Sequence, residues 1–195
     1  MSYEKQNGYL AKVMPPIRTE NDQKAVWNAL SNNQIDTIGT DHVANQLKLK
    51  LGGDDVWGAL AGFPGIGTSL PILLSEGINK NRINLNQLVN LTSTNASKIF
   101  GLSGKGHLEV GYDADITMID LKKEAKVSPE LFGGFSDYLV YDGWNLKGWP
   151  VKTIVRGTVV AEDFEVIGKP GYGNFVPRVL SYNFEFTIYF LYPCS

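Results

Sequence analysis

The stretch Ile35-Asp36-Thr37-Ile38-Gly39-Thr40-Asp41-His42 decides how the chain is read. It opens with β-branched residues, which suit a pleated, packed surface. It closes by setting a carboxylate beside an imidazole, and the polar sequence that follows reads as a loop. Upstream, Glu20 to Leu30 has a helical pattern; downstream, a long loop leads to a second helix from about Ser69. The local order is helix, strand, loop, helix. A buried parallel strand over Ile35 to Thr40, delivering Asp41 and His42 at its carboxyl end, matches the way α/β barrels build sites from the loops after their strands. On these residues alone, Asp41 is also a turn former or a helix N-cap, and both readings stay open.

Composition narrows the class. The 195 residues suffice for one domain or slightly more, and a 43% hydrophobic share supplies a core. The net charge of −2, with acidic and basic residues interspersed, carries no nucleic-acid footprint. The lone cysteine, Cys194, rules out an intramolecular disulfide framework and fits a reducing compartment. Met1 to Gln6 lacks the apolar core of a secretory signal, and nothing approaches a membrane span. A soluble cytoplasmic protein is expected.

Working outward, Pro15-Pro16 sets non-helical backbone before the first helix. Thr19 is placed to N-cap that helix, with Glu20 and Asp22 in its first turn. Ala25, Val26, Ala29 and Leu30 form its apolar stripe, with Trp27 partly off it, and Ser31-Asn32-Asn33 ends it. Val43 to Leu51 alternates Leu47, Leu49 and Leu51 against Lys48 and Lys50, as a short strand or a lid-like loop. The glycines from Gly62 to Gly67 invite comparison with a phosphate cradle, yet no Gly-Lys-Ser/Thr follows. Ser69 to Ser75 reads as a helix with Pro71 in its first turn. Asn84 and Gln87 have capping-box spacing before a helix that turns Leu85, Leu88, Val89 and Leu91 inward. Thr94 to Phe100 is a short helix stopped at Gly101, with Ile99 and Phe100 in the core.

After Gly104 the period becomes two: Ala114, Ile116 and Met118 alternate with Asp115, Thr117 and Ile119. Asp113 and Asp115 read as a turn residue and a solvent-facing strand residue rather than metal ligands. Residues 121–150 read as a connection rich in glycine and aromatics. Tyr138, Tyr141, Trp144 and Trp149 there suit either an interface patch or ordinary packing. Arg156-Gly157 sits between two β-branched runs as a tight hairpin. The tail from Val179 onward places Phe184, Phe186, Ile188, Phe190 and Tyr192 on one parity.

Several stretches, taken in order, carry a resemblance. They include Pro15-Pro16-Ile17-Arg18-Thr19, Gly39-Thr40-Asp41-His42, Gly62-Phe63-Pro64-Gly65-Ile66, Asn95-Ala96-Ser97-Lys98-Ile99-Phe100-Gly101, Gly111-Tyr112-Asp113-Ala114-Asp115, Gly148-Trp149-Pro150 and Phe175-Val176-Pro177-Arg178. Together they resemble the cyclic amidohydrolases, especially the hydantoinase and dihydropyrimidinase group, with dihydroorotases and allantoinases as relatives. The implied fold is α/β: the late portion of an amidohydrolase TIM-type barrel over residues 1–103, then part of a small β-sandwich over 104–178, and an unmatched tail over 179–195.

The resemblance implies a metal-dependent hydrolase that opens cyclic amides, working as a homo-oligomer with two zinc ions. Asp41 matches the aspartate that binds one metal, takes the proton of the attacking hydroxide and hands it to the departing nitrogen. His42 matches a neighbour that orients this group or touches substrate. Ala61, Gly62 and Gly65 match the segment lying over the substrate ring. Family members are more than twice as long, and their other metal ligands, four histidines and a carboxylated lysine, have no counterpart here: His42 and His107 are the only histidines. The chain reads as a piece of such an enzyme, inactive alone, with a non-catalytic scaffold or assembly remnant as the alternative. Asn45 stands where dihydroorotases place a histidine, Ala61 near a hydantoinase asparagine, and Gly67 where a glutamate is frequent.

Overall fold

The computed structural model describes residues 8–52 and 55–179, so the expected strand parity of the tail from Phe184 lies outside the described residues. Helical elements come first and strands last. A 3-10 turn at Gly8–Ala11 precedes α1 (Glu20–Ser31), α2 (Leu47–Lys50) and α3 (Ile66–Ile72), which runs on as a wide π-type turn through Ile78. Then come α4 (Leu85–Val89), a second wide turn, and α5 (Asn95–Ile99). The strands are β1 (Ile116–Lys126), β2 (Asn145–Val155), β3 (Thr158–Glu162) and β4 (Glu165–Val166). They form one antiparallel sheet in the order β1-β2-β3-β4.

Local chemistry sets the helix ends. Thr19 and Asp22 exchange backbone and side-chain bonds in a full capping box on α1, and Asn84 and Gln87 do the same on α4. Beyond α5, Gly101 adopts φ +65° while Leu102 N–H reaches Ser97 O at 2.8 Å and Gly101 N–H reaches Lys98 O at 3.3 Å. That pair of bonds is the Schellman closure a glycine permits. Arg156 and Gly157 both have positive φ, at 44° and 79°, making the two-residue turn whose twist suits the β2–β3 hairpin.

Two apolar cores share the work. Leu30, Leu73, Leu74, Ile83, Leu88 and Leu91 form one, with Trp27, Ile35, Ile38, Ile119 and Leu121 packed against it. Val127, Leu139, Leu146 and Trp149 form the other, bordered by Ile72, Phe132 and Phe164. The join between helices and sheet is a break in the β1–β2 ladder, where pairing jumps from Asp120↔Trp149 to Glu124↔Lys147. Asp120 Oδ1 accepts the Lys122 and Lys123 N–H groups across the break. Asn79 bridges it from the helical side, donating to Leu121 O and Lys147 O.

Several expectations change. Ile35 to Thr40 is not a buried strand: it is irregular, half-exposed and unpaired with any strand among the described residues. Ile38 N–H bonds instead to Leu91 O, and Asn95 Nδ2 to Asp36 O. A strand is defined by its neighbours, and here helices meet the β-branched side chains. The α3 helix starts at Ile66 rather than Ser69, which places Pro71 near its end and not in its first turn. The supposed connection over 121–150 holds the second half of β1 and the first half of β2. Tyr138 and Trp149 are buried core residues, while Trp144 stays half-exposed edge-on to Tyr141. Leu85, Val89, Ile99 and Phe100, expected inside, are exposed; Val26 of the α1 stripe is exposed too, and Trp27 packs inward on α1.

Candidate active-site corner

Asp41 and His42 lie at the end of the Ile35 to Thr40 segment, beside the start of α3. Asp41 adopts φ +44°, a conformation asparagine and aspartate tolerate better than other side-chain-bearing residues, and is exposed. The His42 ring folds onto the start of α3, where Nδ1 accepts the Gly65 N–H at 3.1 Å and the Ile66 N–H at 3.4 Å. These are orphan donors of a helix end, so the imidazole supplies the cap that the glycine lacks. Accepting at Nδ1 leaves the ring proton on Nε2 and fixes the orientation of the ring beside Asp41. One residue further on, Val43 N–H bonds to Phe63 O at 3.2 Å. Segment 42–43 and loop 63–66 are thus stitched together.

The loop residues singled out from the sequence fall into two groups. Gly65 faces His42 and is part of the corner. Gly62 is buried, with φ +93°; its N–H donates to Lys12 O at 2.9 Å and its carbonyl takes a bond from Lys50. Ala61, between these layers, is exposed. With the Gly62, Gly65 and Ile66 N–H groups engaged internally, the loop is no phosphate cradle. At Gly67, a Cβ would lie 2.4 Å from the Phe132 ring. That ring occupies the space a larger residue would need. A shallow groove beside it, lined by Gly67, Phe132, Trp149, Val151 and Phe164, does not include Asp41 or His42.

Sequence reasoning missed the group that anchors this loop. Lys50 is wholly buried, and its ammonium donates to Lys12 O at 2.8 Å, Leu60 O at 2.6 Å and Gly62 O at 2.6 Å. No carboxylate pairs with it among the described residues. Burial, and secondarily the charge of Lys12, pushes its amine down from 10.5 to about 8. Lys12 extends the clasp, donating to Ala59 O at 2.6 Å and Trp57 O at 3.1 Å. Nothing in the Leu-Lys alternation signals a buried cation. Asn45, singled out from the sequence for standing in place of a histidine, is buried, and its side-chain oxygen accepts the Tyr138 hydroxyl at 2.6 Å. Burial raises that hydroxyl to about 12.

Asp113 and Asp115 share the Lys105 ammonium, and Asp115 also accepts the Arg156 N–H at 2.8 Å. They tie the strand entrance to the hairpin turn, as structural residues. Among the described residues, no group of three His, Cys, Asp or Glu side chains is placed to hold a metal. Asp41 alone does not make a zinc site, which needs three or four ligands.

Comparison with known proteins places the chain, though not this corner, in a family. Residues 7–160 match the amidohydrolase family. The chain belongs to that family. This amidohydrolase chain is 42% identical over 173 residues to the L-hydantoinase of Paenarthrobacter aurescens, covering 88% of this chain and 38% of that protein. It is 40% identical over 167 residues to the D-hydantoinase of Geobacillus stearothermophilus (84% of this chain, 36% of that one). To a dihydroorotase of Pyrococcus furiosus it is 38% identical over 161 residues (83% and 36%). A crystal structure of a D-hydantoinase superposes with a TM-score of 0.85 at 38% identity, covering 91% of this chain and 40% of that one. The chain therefore spans about two-fifths of the length of the curated relatives it matches. Amidohydrolases are generally metal-dependent. No helix among the described residues is long and apolar enough to cross a membrane.

Proposed function

We propose that this chain is the carboxyl-terminal portion of a cytoplasmic, zinc-dependent hydrolase opening cyclic amides such as hydantoins or dihydropyrimidines. In this reading, residues 1–103 are the late part of a TIM-type barrel, residues 104–178 belong to a small β-sandwich, and the complete enzyme is a homo-oligomer. The observation that supports it is the Asp41–His42 corner, built on a backbone 38% identical to a D-hydantoinase over nine-tenths of the chain. Asp41 contributes the carboxylate that takes a proton from the attacking oxygen and returns it to the ring nitrogen. A carboxylate suits this because it accepts and releases a proton within hydrogen-bond reach of both groups. His42 orients the corner through its bonds to α3, and the Ala61–Gly65 loop covers the substrate ring. Asp41 is the one matching ligand in this chain and does not hold zinc by itself; the missing set belongs to an amino-terminal portion.

That portion would also cover Val26, Leu85, Val89, Ile99 and Phe100, whose exposure makes the chain prone to associate when alone. The test is complementation. The amino-terminal portion of the G. stearothermophilus D-hydantoinase is co-expressed as a separate polypeptide, and the purified pair is supplied with zinc. The pair should open dihydrouracil or hydantoin, whereas either piece alone and the Asp41→Ala pair should not. Stable assembly with bound zinc and no ring opening on a panel of cyclic amides would favour the scaffold reading instead.

A further inference from the structure

Lys50 anchors the loop with all of its donors engaged. An ammonium has three N–H bonds, and the three carbonyl oxygens of Lys12, Leu60 and Gly62 each receive one. These carbonyls belong to two separate stretches of chain, and the lysine itself comes from α2 as a third. From Gly62 the path to the corner is short. The next residue, Phe63, accepts the Val43 N–H, and Gly65 donates to the His42 ring. The same side chain cannot be a carbamate bridging metals, because an anion there would face three carbonyl oxygens at close range.

We propose that Lys50 is a positioning residue: by fastening the carbonyls of Lys12, Leu60 and Gly62 it holds loop 60–65 where the His42 ring caps α3, and so sets the orientation of the Asp41–His42 corner. The functional weight of this rests on the hydrolase reading, but the geometry does not. Hydrogen bonds from a charged donor to buried carbonyls are worth more than neutral ones, and removing the donor strands each acceptor. A methionine at position 50 fills similar space and donates nothing. Arginine restores a cation with several donors, in a different shape.

The test is magnetic rather than catalytic, so a failed complementation would leave it intact. The complete chain, labelled with nitrogen-15, carries only two imidazoles, His42 and His107. In the parent, His42 should show one tautomer, with Nδ1 unprotonated and accepting. In Lys50→Met that signature should be lost or averaged, and the Gly65 amide should lose about tenfold of its hydrogen-exchange protection. His107 should not move, and Lys50→Arg should regain part of the effect. A folded Lys50→Met chain with His42 and Gly65 unchanged would overturn the proposal. A measurement on the unsubstituted chain covers the case in which Lys50→Met does not fold. The amides of Val43, Leu60 and Gly62 should open together as one unit, with protection within about threefold of each other. Opening of Leu60 and Gly62 while Val43 stays protected would overturn it equally.

Discussion

One methyl group added at position 62 tests whether the loop is as tightly specified as its geometry indicates. Gly62 has φ +93°, and a Cβ built there lies 2.4 Å from Val43 Cγ2 and 3.0 Å from Val43 Cβ. Holding an L-residue at positive φ costs about 1–2 kcal/mol. Forcing a packed neighbour aside costs about 1–3 kcal/mol more. Gly62→Ala should therefore destabilise the chain by about 2–5 kcal/mol. The two parts are separable. Val43→Ala removes both Cγ atoms, so combining it with Gly62→Ala should recover most of the steric part and none of the backbone part. The double-mutant cycle should show coupling of about 1 kcal/mol or more. The assay is urea unfolding followed by tryptophan fluorescence, at one low protein concentration for all four chains. Gly62→Ala within about 0.5 kcal/mol of the parent would refute the reasoning, since that is the ordinary scatter of a harmless surface change.

Two further outcomes are expected from the same unfolding measurements. Trp149 is wholly buried between Phe132 and Phe164, with its indole N–H on Leu146 O at 2.9 Å, so Trp149→Ala should cost about 3–5 kcal/mol; a loss below about 1 kcal/mol would remove it from the core. The Lys50 amine titrates at about 8 when folded and at its ordinary 10.5 when unfolded, so between those values the unfolded chain holds the extra proton. Stability from this group should rise with pH across that window, on the order of 3 kcal/mol in full. Tyr138, raised to about 12, works the other way above its ordinary 10, so the rise is best read from pH 8 to 10 against a Lys50→Met control. A parent curve flat or falling relative to that control would contradict the burial of a charged amine.

What could be read from the sequence was mostly what neighbouring residues decide among themselves. The Thr19 and Asn84 caps, the Gly101 stop and the Arg156-Gly157 turn depend on two to six residues, and each stands in the structure where local rules put it. The Asp41–His42 pair stood out because its two residues are contiguous, but the bonds that hold the His42 ring to Gly65 and Ile66 were not legible there. Failures came where a partner far along the chain decides. Ile35 to Thr40 has the composition of a strand, but pairing requires a neighbour, and its side chains meet Leu91 and the helical core instead. The face of α1 turned on Trp27 rather than Val26, because the Arg82 guanidinium sits 4.8 Å over the indole and the ring closes the core edge. Lys50 was hidden by the usual rule that lysines face water. Only the convergence of Lys12, Leu60 and Gly62 in space makes an interior site for it.

The chemistry of that interior site bears on how the loop can vary over time. Each oxygen that receives the Lys50 ammonium belongs to the main chain, and main-chain oxygens are present whatever side chain stands above them. Exchange of Leu60 for another residue leaves the acceptor in place, and so does exchange of Lys12 apart from its own bonds to Trp57 and Ala59. The constraint therefore falls almost entirely on position 50, with Gly62 held separately by its backbone angle. A loop anchored this way can change its outward side chains, Ala61 and Leu60 among them, without losing its shape. The outer surface of the loop is then free to drift on a frame that does not.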